Sequence, residues 1–317
     1  MNQLTEATKI AQALLDNVKR VIVGKDRAIE SSLVALISRG HLLIEDVPGL
    51  GKTTLAKAIA LSMGCSFKRI QFVPDLLPSD ITGVNVYNQK TGEFEFRPGP
   101  IMAQVVLADE INRAPSKTQA ALLEAMEEHQ ATVDGVTYPM ARPFFIIATL
   151  NPVEYHGIFP LPEAQLDRFT MRVTLGYASF EQEMAIIERQ EKQHPIEELA
   201  AVATPEQVLF LQEAAKGIYV DPLVRQYIVS LTQKTRQHQD TLLGASHRGS
   251  LALFQTSQAL ALMRGRDFVV PDDVKELSAG VLAHRLILTP EARARGLDGR
   301  KVITGMLDNL AVPGVPA

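Results

Sequence analysis

A chain of 317 residues, 46% hydrophobic and 21% charged, has material for about two globular domains and is far from the composition of a disordered protein. Its 32 Lys and Arg against 36 Asp and Glu leave a net charge of −4, which argues against attachment to nucleic acid by bulk charge and leaves only a local basic patch. The lone cysteine, Cys65, rules out an internal disulfide framework or a multi-thiolate metal site; with no apolar run near the roughly 18 residues of a membrane span and no signal-peptide pattern over residues 1–15, a cytoplasmic protein is expected.

The chain changes character near residue 178. Before it, short apolar runs alternate with helical patterns; after it, nearly everything reads as helix. Ile10, Leu14 and Val18 recur at helical spacing in a first amphipathic helix. Residues 21–24 read as a turn, and Asp26 as the cap of a second helix running to Arg39. A buried strand at 41–44 leads through a Gly/Pro loop into a helix from Lys52 to about Met63, and 67–72 is a second strand. Prolines 74, 78, 98 and 100 punctuate the next stretch, where 84–87 and 93–96 flank a turn ending in Gly92, the pattern of a β-hairpin. A strand at 105–108 and a helix at 116–128 follow. Residues 131–133 and 136–138 flank Asp134-Gly135, a strong hairpin signal. Strands at 144–147 and 171–175 complete the half. Without the two hairpins, about five strands with helical crossovers remain, which suits a parallel sheet covered on both faces. Helices are then expected near 180–193, 204–216, 221–238, 246–263 and 271–284. Thr204-Pro-Glu-Gln207 is a helix start, with a cap, a proline at the first position, and Glu and Gln in the first turn.

Gly49-Leu50-Gly51-Lys52-Thr53 follows a strand and opens a helix, the context of a phosphate-cradling loop. Backbone N–H groups there can face phosphates, with the helix dipole behind them. Lys52 would reach the β and γ phosphates and Thr53 a Mg²⁺ ion, with Pro48 and Thr54 flanking the loop. The full pattern starts with Gly at position 46, where this chain has Asp46. The strand at 105–108 ends in Asp109 and Glu110, at the rim where open α/β sheets bind ligands. Asp109 suits the outer sphere of Mg²⁺ and Glu110 the polarisation of an attacking water. Alone, such a pair is a solvated strand exit; with the loop, it reads as a nucleotide site. Asn151, before Pro152, is either a turn residue or an amide for the attacking water or γ phosphate. Arg168 is either a surface partner of Asp167 or a fixed cation. Arg248 opens a helix, a poor place for a cation unless a phosphate comes to it. The seven histidines show no metal-ligand spacing on any helix, and His156, close after Asn151, is expected to have no ligand role.

These motifs, in this order, resemble the AAA+ ATPases, and within them the MoxR family, over nearly the whole chain. The most specific stretch is Gln71-Phe-Val-Pro-Asp-Leu-Leu-Pro-Ser-Asp-Ile-Thr-Gly83. Phe96-Arg-Pro-Gly-Pro100, Asp109-Glu-Ile-Asn-Arg-Ala114, Leu122-Leu-Glu-Ala-Met-Glu-Glu128 and Glu163-Ala-Gln-Leu-Asp-Arg-Phe169 join it. The resemblance implies an α/β P-loop NTPase: a parallel five-stranded αβα nucleotide-binding domain over 1–177 and an all-helical lid over 178–317, with ATP and Mg²⁺ between them. Residues 49–53 look like Walker A, and Asp109 and Glu110 like Walker B. Asn151 looks like sensor 1, Arg168 like an arginine finger acting on a neighbouring subunit, and Arg248 like sensor 2, touching the nucleotide. Gly24 matches the adenine-side turn, and the hairpins near 84–97 and 131–138 match the inserts of this branch. Gln71 resembles a polar residue that restrains the catalytic Glu, and Arg113 an intersubunit contact. The family usually has Pro before the sensor 2 Arg and Ala after it; here His247 and Gly249 stand there. A finger acting in trans implies a homo-oligomer, a hexameric ring, and the family implies chaperone-like remodelling of partner proteins, von Willebrand A-type metal-binding proteins among them. Two rivals stand beside this reading. A nucleic-acid motor or clamp loader is disfavoured by the acidic balance. A binding module that uses nucleotide only as a switch is disfavoured by the joint presence of Glu110, Asn151 and Arg168.

Overall fold

In the computed structural model, which describes residues 3–152, 158–191 and 194–311, the apolar runs of the first half lie side by side in one parallel sheet. The elements are α1 (Gln3–Val21), α2 (Asp26–Ile37), β1 (Leu42–Glu45), α3 (Lys52–Ser62), β2 (Phe67–Gln71), α4 (Pro78–Thr82), β3 (Gly83–Asn88) and β4 (Glu93–Pro98). They continue with β5 (Val105–Asp109), α5 (Ser116–Glu128), β6 (Gln130–Val133), β7 (Val136–Pro139), β8 (Phe145–Leu150), α6 (Glu163–Leu166) and β9 (Met171–Val173). Strand order is β2-β5-β8-β1-β9, parallel throughout. Successive residues serve opposite faces. Leu42, Ile44, Leu107 and Ile147 join one core with α1, α2 and α3, while Leu43, Val106 and Ile146 join a second with α5. Burial on both faces is why these strands read as unbroken apolar runs. Because every strand points the same way, all carboxyl ends share one rim and all amino ends the other.

The two hairpins pack on each other. Phe96 stacks on Tyr138 with ring centroids 3.9 Å apart, and Asn85 donates to Asp134 at 2.9 Å. Gly83, at φ +102°, joins α4 to β3 where a Cβ would lie 2.4 Å from the Arg97 carbonyl oxygen, so the junction requires glycine.

The second half holds α7 (Phe180–Gln190), α8 (Pro205–Lys216), α9 (Pro222–Gln237), β10 (Thr241–Leu243), α10 (His247–Met263), α11 (Pro271–Leu282), β11 (Ile287–Leu288), α12 (Pro290–Ala294) and α13 (Gly299–Asp308). Thr204 caps α8 reciprocally with Gln207, as its sequence signature predicts. The first core continues from α1 into these helices as far as Met306. Three details differ from expectation. Asp26 is not a cap: Lys25 holds that position without a side-chain bond, and Asp26 lies in the first helical turn, where its charge suits the dipole. A two-stranded antiparallel ladder, β10 with β11, interrupts the helices. Helices α12 and α13 continue beyond residue 284, and their start signals were present, since Thr289 and Asp298 cap them.

Candidate nucleotide site

The loop after β1 carries two glycines in the left-handed region, Gly49 and Gly51, both at φ +86°. A Cβ at either would meet nothing within 4 Å, so backbone conformation requires glycine there and crowding does not. Gly51 precedes α3 and offers no side-chain cap, which leaves the first N–H groups of that helix directed at the loop. Lys52 is buried, and its ammonium donates to the Asp46 carbonyl oxygen. Burial pushes its pKa down, while Asp109, Asp46 and Glu110 push it back up, so the loop lysine and the two strand-exit acids share one field. Thr53, one residue on, is exposed.

Asp46 stands where the loop pattern begins with glycine, and its side chain has a use. One carboxylate oxygen accepts the backbone N–H groups of Leu175 and Gly176, each at 2.7 Å, and the other accepts Val47 N–H at 3.1 Å. The carboxylate fastens the start of the loop to the chain leaving β9. A cavity of about 340 Å³ opens beside the loop, lined among others by Ile22, Lys25, Gly49, Gly51, Thr54 and Tyr177. Gly24, at φ +69°, turns the chain between Val23 and Lys25, which line it: a Cβ there would lie 2.2 Å from the Gln182 side chain, whose amide donates to the Gly24 carbonyl at 3.4 Å. Leu50 packs against the core and anchors the middle of the loop.

Asp109 ends β5, and Glu110 follows at φ +55°, uncommon for a residue with a side chain. Thr149 holds the pair. Its hydroxyl donates to Asp109 Oδ1 at 2.6 Å and accepts the Glu110 N–H at 2.8 Å. Glu110 Oε2 accepts from Gln71 at 2.8 Å and Arg113 at 3.2 Å. Asp109 Oδ2 accepts two bonds from Arg69, at 3.0 and 2.7 Å, and Arg69 also donates to Gln71 Oε1 at 2.6 Å. Sequence reading singled out neither Arg69 nor Thr149. The available signal was strand period: Arg69 precedes Gln71 by two on β2, and Thr149 precedes Asn151 by two at the end of β8. Asn151 itself is 4% exposed at that strand's exit. His156 lies outside the described residues.

Arg168 and Arg248 are at the other rim. Thr170 N–H donates to the His41 carbonyl at 2.9 Å, so the segment before β9 lies against the amino end of β1, whereas the loop leaves its carboxyl end. β1 alone separates the two by about 13 Å at roughly 3.3 Å per residue. Arg248, read as a sensor 2 residue that touches nucleotide, lies beside Arg168 and away from the loop of its own chain. Both guanidinium groups bind one carboxylate, Arg168 to Glu127 Oε2 at 2.9 Å and Arg248 to Glu127 Oε1. Asp167 is not the partner of Arg168 either, for it pairs with Arg285 at 2.8 Å and accepts from Ser246 at 2.9 Å. Arg285 is buried and also donates to the Phe169 and Thr170 carbonyls.

The sequence profile of the ATPase family associated with various cellular activities (AAA) matches residues 41–171, and that of the AAA lid domain matches residues 233–305. The chain is 52% identical over 299 residues to the uncharacterized protein YeaC of Bacillus subtilis, covering 94% of this chain and 93% of that one. It is 43% identical over 309 residues to chaperone MoxR1 of Mycobacterium tuberculosis, covering 95% of this chain and 81% of the other. A crystal structure from Cytophaga hutchinsonii, of a protein given the provisional description of ATPase, superposes with a TM-score of 0.92 at 37% identity, covering 98% of this chain and 97% of that one. With the parallel sheet, the glycine loop and the helical second half on the same chain, these likenesses decide the family: the chain belongs to the MoxR family of AAA+ ATPases.

Proposed function

We propose that the protein hydrolyses ATP with Mg²⁺ in the cytoplasm, at sites shared between copies in a ring, hexameric as the resemblance implies. It would use the cycle to remodel a partner protein, with von Willebrand A-type proteins the implied class. The observation that carries this reading is the separation of two half-sites. The loop, Asp109 and Glu110 lie at the carboxyl rim of the sheet, and Arg168 and Arg248 at the amino rim of the same sheet. In this reading residues 1–177 form the nucleotide-binding domain and 178–317 the lid.

The open face of the loop and its cavity fit a nucleotide: Gly49, Leu50 and Gly51 would wrap the phosphates, Lys52 neutralise them, and Gly24 and Thr54 border the base and sugar. Thr53 and Asp109 offer the oxygen donors that suit Mg²⁺, an ion that takes few protein ligands and keeps several waters. When bound, Mg²⁺ would neutralise charge on the phosphate oxygens. Glu110 would take the proton of the attacking water, oriented by Gln71, with Asn151 at the adjacent strand end. Arg168, together with Arg248, would enter the neighbour's site and stabilise charge on the transferring group. Such an Arg is worth about 10³–10⁵ in rate where it has been measured.

The test is Glu110→Gln, which keeps shape and hydrogen bonding and removes the base. ATP affinity should remain near wild type while turnover falls by at least about a hundredfold, the scale of positioned acid–base help. Near-normal turnover would show that Glu110 is only a strand-exit acid. In the ATP state this variant should also hold partner proteins long enough to identify them.

A further inference from the structure

Among the described residues, Arg69 is the charged partner of Asp109 that the proposed cycle leaves without a task. It projects from β2, where it stands opposite Leu107 in register and reaches along the ladder to the end of β5. Its side chain is about half exposed, while the Asp109 side chain is 13% exposed. Asp109 has two oxygens. Oδ1 is committed to the Thr149 hydroxyl, and Oδ2 takes both N–H bonds from Arg69. Two charge-assisted bonds on a single oxygen saturate its outward side.

We propose that Arg69 is a resident counter-ion of Asp109 that must give way when a divalent cation loads with nucleotide, and that it thereby sets the metal concentration at which the site fills. The inference rests on the nucleotide reading above. A cation approaching Asp109 meets a positive guanidinium on the one oxygen not taken by Thr149, so loading must include the cost of breaking that pair. Being half exposed, Arg69 can swing into solvent at small cost, which suits a displaceable partner better than a structural one. Its other bond gives the displacement a consequence. Arg69 donates to Gln71 Oε1 while Gln71 Nε2 donates to Glu110, so one side chain links the two acids, and its departure leaves Gln71 held by Glu110 alone of the pair.

The experiment uses the full chain with Arg69→Gln and Arg69→Lys. Calorimetric titration with ADP is run in EDTA and across a series of Mg²⁺ concentrations, and thermal unfolding checks that each variant is folded. Arg69→Gln should lower the half-saturating Mg²⁺ for tight ADP binding by roughly two- to fivefold, the upper part of the range of an exposed ion pair. ADP affinity in EDTA should stay unchanged, and Arg69→Lys should fall between wild type and Arg69→Gln. An unchanged or higher Mg²⁺ requirement in folded Arg69→Gln overturns the proposal while leaving the nucleotide site standing. Wild-type protein that binds no ADP under any condition would instead remove the nucleotide reading, and this inference with it.

Discussion

His41 shows how much a single residue can owe to partners far away in sequence. It lies at the amino end of β1, fully enclosed, with Nδ1 accepting the Ile146 N–H at 3.1 Å and Nε2 facing the Met126 carbonyl at 3.2 Å. That arrangement needs the neutral ring with its proton on Nε2; a proton on Nδ1 would confront an N–H. Burial pushes its pKa from 6.5 down to about 4, with His129 adding to the fall and the Met126 carbonyl opposing it. The folded pKa is lowered, so the unfolded chain binds the proton first as pH drops. Stability from this group is therefore complete above about 6.5 and is lost as pH falls toward 4. Between pH 7.5 and 5.0 the loss should be about 2 kcal/mol. His41→Asn keeps an acceptor for Ile146 and cannot titrate, so its unfolding free energy in urea should fall by about 2 kcal/mol less over that interval than the wild-type value does. The buried His284, also shifted downward, is common to both proteins and cancels in the difference. Equal losses would show that His41 accepts the proton in place. Several residues near the candidate site were hard to see in sequence for the same reason. Thr149 and Arg69 matter through hydrogen bonds to Asp109, Glu110 and Gln71; strand period puts each on the same face as a motif residue, but only the folded sheet pairs them with those partners.

At the scale of elements, the sequence was legible wherever one local rule decided the outcome. The helix Ser116–Glu128, the Asp134-Gly135 hairpin and the capped start of α8 follow from periodicity, turn chemistry and capping, each settled within a few residues. What could not be read was how elements clasp each other. Strand order depends on crossovers, β10 and β11 pair across a long separation, and the segment carrying Arg168 is held by a residue over a hundred positions away. That residue, Arg285, follows α11. It joins Asp167 and three backbone carbonyls around it while 3% of its side chain is exposed. Ser246, the cap of α10, binds the other oxygen of the same carboxylate. The lid thus grips the segment directly before β9. Removing one partner of a buried, hydrogen-bonded ion pair leaves the other uncompensated, at about 3–5 kcal/mol. Arg285→Ala should lower unfolding stability by that amount in urea, whereas Ser246→Ala, losing one bond and a cap, should cost only about 1–2 kcal/mol. Equal, small effects would mean that the lid rests on this segment without clamping it.

Across the whole molecule, the decisive fact is that a parallel sheet has two rims and this chain divides its candidate catalytic groups between them. Glu127 holds Arg168 and Arg248 together at the amino rim, so the two arginines form one unit facing outward from the rim opposite their own loop. A closed ring of head-to-tail contacts would bring that rim against a neighbour's loop. The prediction concerns two inactive proteins. Arg168→Ala with Arg248→Ala has a working loop and no arginines to give; Lys52→Ala has the arginines and a disabled loop. Mixed at equal amounts into rings, an interface works only when the loop comes from the first and the arginines from the second. Random assembly makes that combination about a quarter of all interfaces, so mixed rings should recover about a quarter of wild-type turnover. The measurement is steady-state phosphate release, with each protein carrying a different affinity tag so that mixed rings can be isolated by both tags in turn. Doubly selected rings without activity would mean that the arginines act within their own chain, which would require the rim segment to move past the length of β1. They would also remove the main physical reason, beyond family likeness, for expecting a ring.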